Sequence, residues 1–167
     1  MVCQLIFMIQ NTQELFEDFI AVIDELAELC ENIAYIEEAK AEAASLKQHE
    51  FLDDYIQEEQ AQILKLRGLE QHRLRLAQEL GWNSLTFSQI LEIAEPAQVE
   101  QLSPCFYDLE LQLKRLQQSR KAAEQIINVR IHELQVAIAK QEGSGYDNAG
   151  NINLNSPYRS KIRNTYV

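Results

Sequence analysis

The stretch LFEDFIAVIDELAELCENIAYI (15–36) decides the fold. Its apolar residues alternate three and four apart, at Leu15, Phe19, Val22, Leu26, Leu29, Ile33 and Ile36, which holds them on one face of an α-helix over three heptads. Phe16, Ile20, Ile23 and Cys30 widen the stripe beyond a narrow two-helix seam. Upstream, Asn11 followed by Glu14 reads as an N-cap with its reciprocal acid, so the helix is expected to begin near residue 12. Downstream the pattern fades at Lys40 and recovers at Ala43 and Leu46, and KQHE (47–50) reads as a corner.

Helical periodicity continues along the chain. A second helix is expected from Phe51 to Leu80, with Leu52, Tyr55, Ile56, Ile63, Leu66, Leu69, Leu76 and Leu80 as core positions. Gly68 sits inside it at a cost of about 1 kcal/mol relative to alanine, and Gly81 ends it, as glycine does best just past a helix C-terminus. Thr86 and Gln89 form a capping box for a short helix over 87–94, bounded by Pro96. The last helix carries Leu102, Phe106, Leu109, Leu113, Leu116, Ala123, Ile127, Leu134 and Ile138, interrupted by Arg120. Ser103-Pro104 is either its N-cap and first residue or a kink in a helix begun near Ala97. Gly143-Ser144-Gly145 stops it. The expected fold class is all-α: an elongated antiparallel bundle of three long helices plus one short helix. Residues 1–142 form the helical bundle domain, and 143–167 a flexible, weakly basic C-terminal tail.

Charge and composition limit the function classes. The 167 residues hold 26 acids and 15 bases, a net charge of −11, with 46% hydrophobic side chains. Residues 11–60 alone carry 15 acids against Lys40 and Lys47, a net of −13, residues 61–142 are neutral, and 143–167 carry +2. Affinity for a phosphate backbone comes from lysine and arginine, so nucleic acid is not expected as the main ligand. No apolar run approaches the roughly 20 residues of a membrane span, so direct insertion is not expected either. Cys3, Cys30 and Cys105 form no CxxC, and MVCQLIFMIQ (1–10) lacks the basic region and cleavage site of a signal peptide; a reduced, cytoplasmic setting is expected.

Catalytic chemistry finds little footing. His49, His72 and His132 are far apart, and the chain holds no HExxH, no phosphate-binding glycine loop, no GxSxG and no Glu-x-x-His. Neither a catalytic set nor a cofactor or metal is expected, and an enzyme is not the reading. Paired carboxylates at 37–38, 53–54 and 58–59 read as solvating charges. One feature stands out. Beyond Arg120 the last helix is apolar on two opposite faces, Ile127, Ile131, Leu134 and Ile138 on one, Ala122, Ile126, Val129 and Val136 on the other. A bundle core needs one of them. The second, Ala122, Ile126, Val129 and Val136, is covered by another part of the chain, by a second copy, or by an amphipathic client helix.

LEQHRLRLAQELGW (69–82) followed by LTFSQIL (85–91) resembles the middle of FlgN-type flagellar export chaperones. Members of that family have a long acidic first helix and a second helix that closes on an arginine followed by Leu-Ala-x-x-Leu-Gly. Here these are Arg73 or Arg75, then Leu76, Ala77, Leu80 and Gly81. A short helix and a long last helix follow in the family. The family's Tyr-x-x-x-Gly element is matched by Tyr146 to Gly150, and SPYRSKIRN (156–164) has the character of its basic tail. The family's two asparagines three apart in the last helix have no counterpart in the corresponding stretch, Ser119 to Ala122.

The resemblance, which covers residues 12–155, implies a cytoplasmic chaperone for hook-associated (hook–filament junction) proteins. Such a chaperone keeps their terminal amphipathic helices from self-associating and brings them to the cytoplasmic domain of the export gate. It implies that Tyr146 and Gly150 serve gate docking; the alternative for Tyr146 is an aromatic anchor that packs the tail on the bundle. A chaperone face kept free for a client implies a monomer or weak dimer. The competing reading is a structural coiled-coil or scaffold protein that homodimerises through the surplus apolar face of its last helix.

Overall fold

The computed structural model describes residues 2–141, with side chains from Thr12 to Ala139 except at His49. The fold is all-α, and no strand occurs among the described residues. Helix α1 spans Val2–Ser45, α2 His49–Glu79, α3 Phe87–Ile93 and α4 Pro96–Gln141, which gives the three long helices and one short helix expected. The chain divides into two compact units, residues 1–126 and a second that begins at Ile127. The domain boundary expected after residue 142, and the tail beyond it, lie outside the described residues.

In the first unit α1 is the central element. Its buried positions include Val22, Ile23, Leu26, Ala27, Leu29, Cys30, Ile33 and Ala34, too many for one stripe, so it is packed on more than one side. It starts at Val2 rather than near residue 12, and Asn11 lies within it instead of capping it. The segment VCQLIFMIQ holds no proline or glycine, so nothing in it breaks a helix and the cap signal is overridden. The corner falls at the expected place. Lys47 takes a left-handed φ of 60°; its N–H donates to the Ala44 carbonyl at 3.3 Å and the Gln48 N–H to Ala43 at 2.9 Å, the paired bonds of a Schellman cap.

Helix α2 returns antiparallel along α1, but most of its expected core is only half-buried. Leu76 and Ala77 are fully buried, Leu52, Tyr55, Ile63, Leu66, Leu69 and Leu80 are intermediate, and Ile56 is exposed. At the far end Gly81, with φ 77°, makes a second Schellman cap. There the Gly81 N–H donates to Gln78 at 3.1 Å and the Trp82 N–H to Ala77 at 2.8 Å. This cap turns Trp82 into the core, where its ring meets Phe16 and Phe19 edge-on at centroid distances of 6.2 and 5.3 Å.

The Thr86–Gln89 capping box forms as expected, with the Thr86 N–H donating to Gln89 Oε1 at 2.9 Å and the Gln89 N–H donating to Thr86 Oγ1 at 3.3 Å. It starts α3, whose Ile90 is fully buried. Helix α4 begins at Pro96, the favoured first position, with the Glu95 N–H donating to Gln98 Oε1 at 3.2 Å. Pro104 therefore lies inside α4, and Ser103 is no cap: its hydroxyl donates back to the Val99 carbonyl at 2.7 Å. Phe19 faces Phe106, and Ser119 donates to Glu38, so within this unit α4 runs alongside α1 in the same direction.

Lys47 holds a conformation that costs an L-residue roughly 1–2 kcal/mol and glycine nothing. Lys47→Gly should therefore raise stability, by about 0.5–1 kcal/mol once the greater freedom of the unfolded glycine is deducted. A urea-unfolding midpoint that stays put or falls would show that the lysine side chain has a compensating role at the corner.

Candidate functional site

The first unit contains an apolar groove of about 500 Å³. Its floor is Leu26 and Cys30 of α1, its walls Leu66, Glu70 and Arg73 of α2 and Leu109 and Leu113 of α4, and Leu85, Thr86 and Phe87 close one end. The end wall is held by aromatic contact, since Phe87 stacks on Phe106 with centroids 4.1 Å apart and planes 9° from parallel. Arg73 lies over the Phe87 ring, 5.9 Å from its centroid. Its Nε and Nη2 donate to the two Glu70 carboxylate oxygens at 2.8 and 2.7 Å. The arginine side chain is 15% exposed and the glutamate 48%, so the charge the rim presents to solvent is a carboxylate.

A charged cluster lies between α1 and α2. Lys40 pairs with Glu37 at 2.9 Å and with Glu59. Glu37 is 3% exposed. Burial pushes the Glu37 carboxyl above its ordinary value. Burial acts the same way on Glu59, but the Lys40 ammonium and a hydrogen bond shared with Glu37 outweigh it, and Arg120 adds to the pull, so Glu59 sits below its ordinary value. Two carboxyls shifted in opposite directions thus share one ammonium. The carboxylates at 37–38 and 58–59 are thus not simply solvating. Glu37 continues the line of Cys30 and Ile33 on α1, and that spacing was the available signal for its burial. Glu38 pairs with Arg115 at 3.3 Å and accepts from Ser119 Oγ at 2.9 Å, the interactions that lower its carboxyl.

Neither described thiol has the lowered titration of an activated nucleophile. Burial raises Cys30, and burial followed by the Asp24 carboxylate pushes Cys105 up to about 11, so both are protonated at neutral pH. Among the described residues no group of three His, Cys, Asp or Glu side chains is placed to hold a metal ion.

The residues singled out on the last helix fall on both sides of the unit boundary. In the first unit Ala123 is fully buried, Ile126 is intermediate, and Ala122 is exposed beside a shallow depression of about 370 Å³ lined also by Glu38, Ala41, Gln118 and Ser119. In the second unit Val129 is 58% exposed and Val136 is intermediate. The opposite face does not supply a core: Ile127 is intermediate, while Ile131, Leu134 and Ile138 are 47%, 49% and 54% exposed. Leu113, read from the period as core, is exposed at the groove edge. Tyr146 and Gly150 lie outside the described residues. Comparison with known protein families, curated proteins and solved structures returns no match for this chain.

Removing the cation of the buried cluster should be costly. Lys40→Met leaves two buried carboxyls without their partner, which should destabilise by about 3–5 kcal/mol near neutral pH in urea unfolding. Protonation relieves that penalty, because the variant's folded carboxyls titrate above their unfolded values, so the deficit against the parent chain should shrink as pH falls toward about 5. A deficit that does not change with pH would mean that lost packing, not uncompensated charge, is the cause.

Proposed function

We propose that this chain is an export chaperone of the FlgN type, which holds the terminal amphipathic helices of hook–filament junction proteins in a monomeric state and delivers them to the export gate. The observation that carries the reading is the apolar surface of α4 in the second unit. Ile131, Leu134 and Ile138 are 47%, 49% and 54% exposed on one face of the helix, and Val129 is 58% exposed on the opposite face. An exposed run of bulky apolar side chains at helical spacing marks a surface for another apolar element, and an amphipathic helix is the partner whose periodicity matches. The likeness of residues 69–91 to the middle of the family supplies the identity of the client. The cytoplasmic site of action belongs to the same proposal; among the described residues no helix is long and apolar enough to cross a membrane. Tyr146 and Gly150 are assigned to gate docking by the resemblance alone.

Titration calorimetry against C-terminal peptides of hook–filament junction proteins from the same organism should show saturable 1:1 binding with a negative heat-capacity change, the mark of apolar burial. Replacing Ile126, Val129 and Val136 by serine should lower that affinity at least tenfold and leave helicity intact. No heat with any peptide, from a protein that light scattering shows to be a tight dimer, would hand the apolar face to self-association instead. Tyr146→Ala should leave client affinity unchanged and weaken binding to the gate's cytoplasmic domain. Equal loss of both would make the residue structural.

A further inference from the structure

The groove of the first unit is separate from the apolar residues of the second unit that carry the functional reading. We infer that it seats a basic amphipathic helix of another protein, whose bulky aliphatic or aromatic side chains enter between α2 and α4 while lysine or arginine on its flank meets the acidic rim. The inference rests on the chaperone reading in that it names the chemistry of the segment held.

Size, shape and charge each point to this occupant. The groove holds about 500 Å³, inside the roughly 300–1,000 Å³ of sites that bury a ligand rather than a single atom group. Its α2 wall runs from Leu66 to Arg73, about 10 Å at 1.5 Å per residue, so it spans successive anchors one helical turn apart. Polar groups occur only at one end and at the rim, in Thr86, Glu70 and Arg73. Arg73 is tied to both Glu70 oxygens and to the face of Phe87, so the pair is compensated within itself, and its half-exposed carboxylate, not the shielded guanidinium, is the member an incoming side chain meets. The field around it has the same sign, because residues 1–126 carry a net charge of −13. An acidic surface of this strength repels an anionic ligand and raises the encounter rate of a cationic one.

The probe is a synthetic amphipathic helix of leucine and lysine, compared with its leucine–glutamate counterpart and followed by fluorescence anisotropy on the full chain. The leucine–lysine helix should saturate at 1:1 and bind at least tenfold tighter than the acidic one, with an affinity that falls as salt is raised. Leu113→Arg places bulk and like charge at the open edge of the groove and should weaken binding at least tenfold. Glu70→Gln removes the rim carboxylate with little change of shape; it should weaken binding severalfold and flatten the salt dependence, while the circular dichroism of both variants stays that of the parent. Equal affinity for the two helices, or variants that bind as the parent does, would overturn the inference. Loss of binding on replacing Ile131 and Leu134 by serine, with Leu113→Arg unaffected, would also overturn it while leaving the chaperone reading standing. Failure of that reading shows instead in the junction-protein titration, which uses neither synthetic helix.

Discussion

Phe19 sits edge-on to both Trp82 and Phe106, and the arrangement of the first unit depends on those two contacts. The three residues come from α1, from the turn that closes α2, and from α4. Each edge-to-face pair adds about 0.5–1.5 kcal/mol beyond the area it buries. Trp82 can reach Phe19 only because Gly81 adopts a left-handed conformation and the Trp82 N–H returns to the Ala77 carbonyl. That same turn delivers Leu85, Thr86 and the start of α3, whose Phe87 stacks on the other side of the cluster against Phe106. The end wall of the groove is thus an outcome of how a helix terminates, and the Arg73–Glu70 pair at its rim is oriented by the ring that this turn presents.

A leucine-rich antiparallel hairpin has little to fix its register, because a slip of one turn replaces one apolar contact with another. The Lys40 cluster removes that freedom. Shifting α2 by four residues would set Lys40 against Tyr55 or Ile63 in place of Glu59, leaving the ammonium with Glu37 of its own helix as its one partner in the cluster. Each alternative register forfeits the inter-helix pair with Glu59 and sets an apolar or aromatic side chain against the ammonium, so it lies above the observed one even where its apolar packing is comparable. Buried charge here serves specificity of pairing more than net stability.

Much of the fold could be read from the residues, and the misses have physical causes. The stripe of 15–36, the corner at 47–50, Gly81 as a terminator and the Thr86–Gln89 box all report local energetics that tertiary contact does not alter. Asn11 fails as a start signal because no proline or glycine upstream of it breaks the helix, and of the two readings of Ser103-Pro104 the helix begun near Ala97 holds, since a cap of about 1 kcal/mol is less than the packing Leu102 gains from an earlier start. Leu113, Leu134 and Ile138 share a helical period with buried neighbours yet are exposed. Periodicity says which residues lie on one face, not whether another element covers that face. The groove was illegible for the same reason, since its lining comes from four segments and its leucines and Cys30 read as ordinary core positions of separate helices. The buried Glu37 was legible in principle, at the heptad position after Cys30, but an acid in an acid-rich helix invites the reading of solvation.

Exposed apolar surface on a helix and a strong net charge are connected. A chain that carries −11 repels its own copies at long range, and the repulsion is concentrated in residues 1–126, where the net is −13. Two first units brought within a Debye length of each other, about 8 Å at physiological salt, feel that repulsion. A basic amphipathic helix has no such barrier, and it approaches down the potential rather than against it. The acidity of α1 and α2 is thus a bias at low salt, against the approach of two first units and in favour of a basic ligand. High salt should erase that bias, because screening weakens the repulsion between copies and the attraction of the partner together, while the apolar contact itself is unaffected or strengthened.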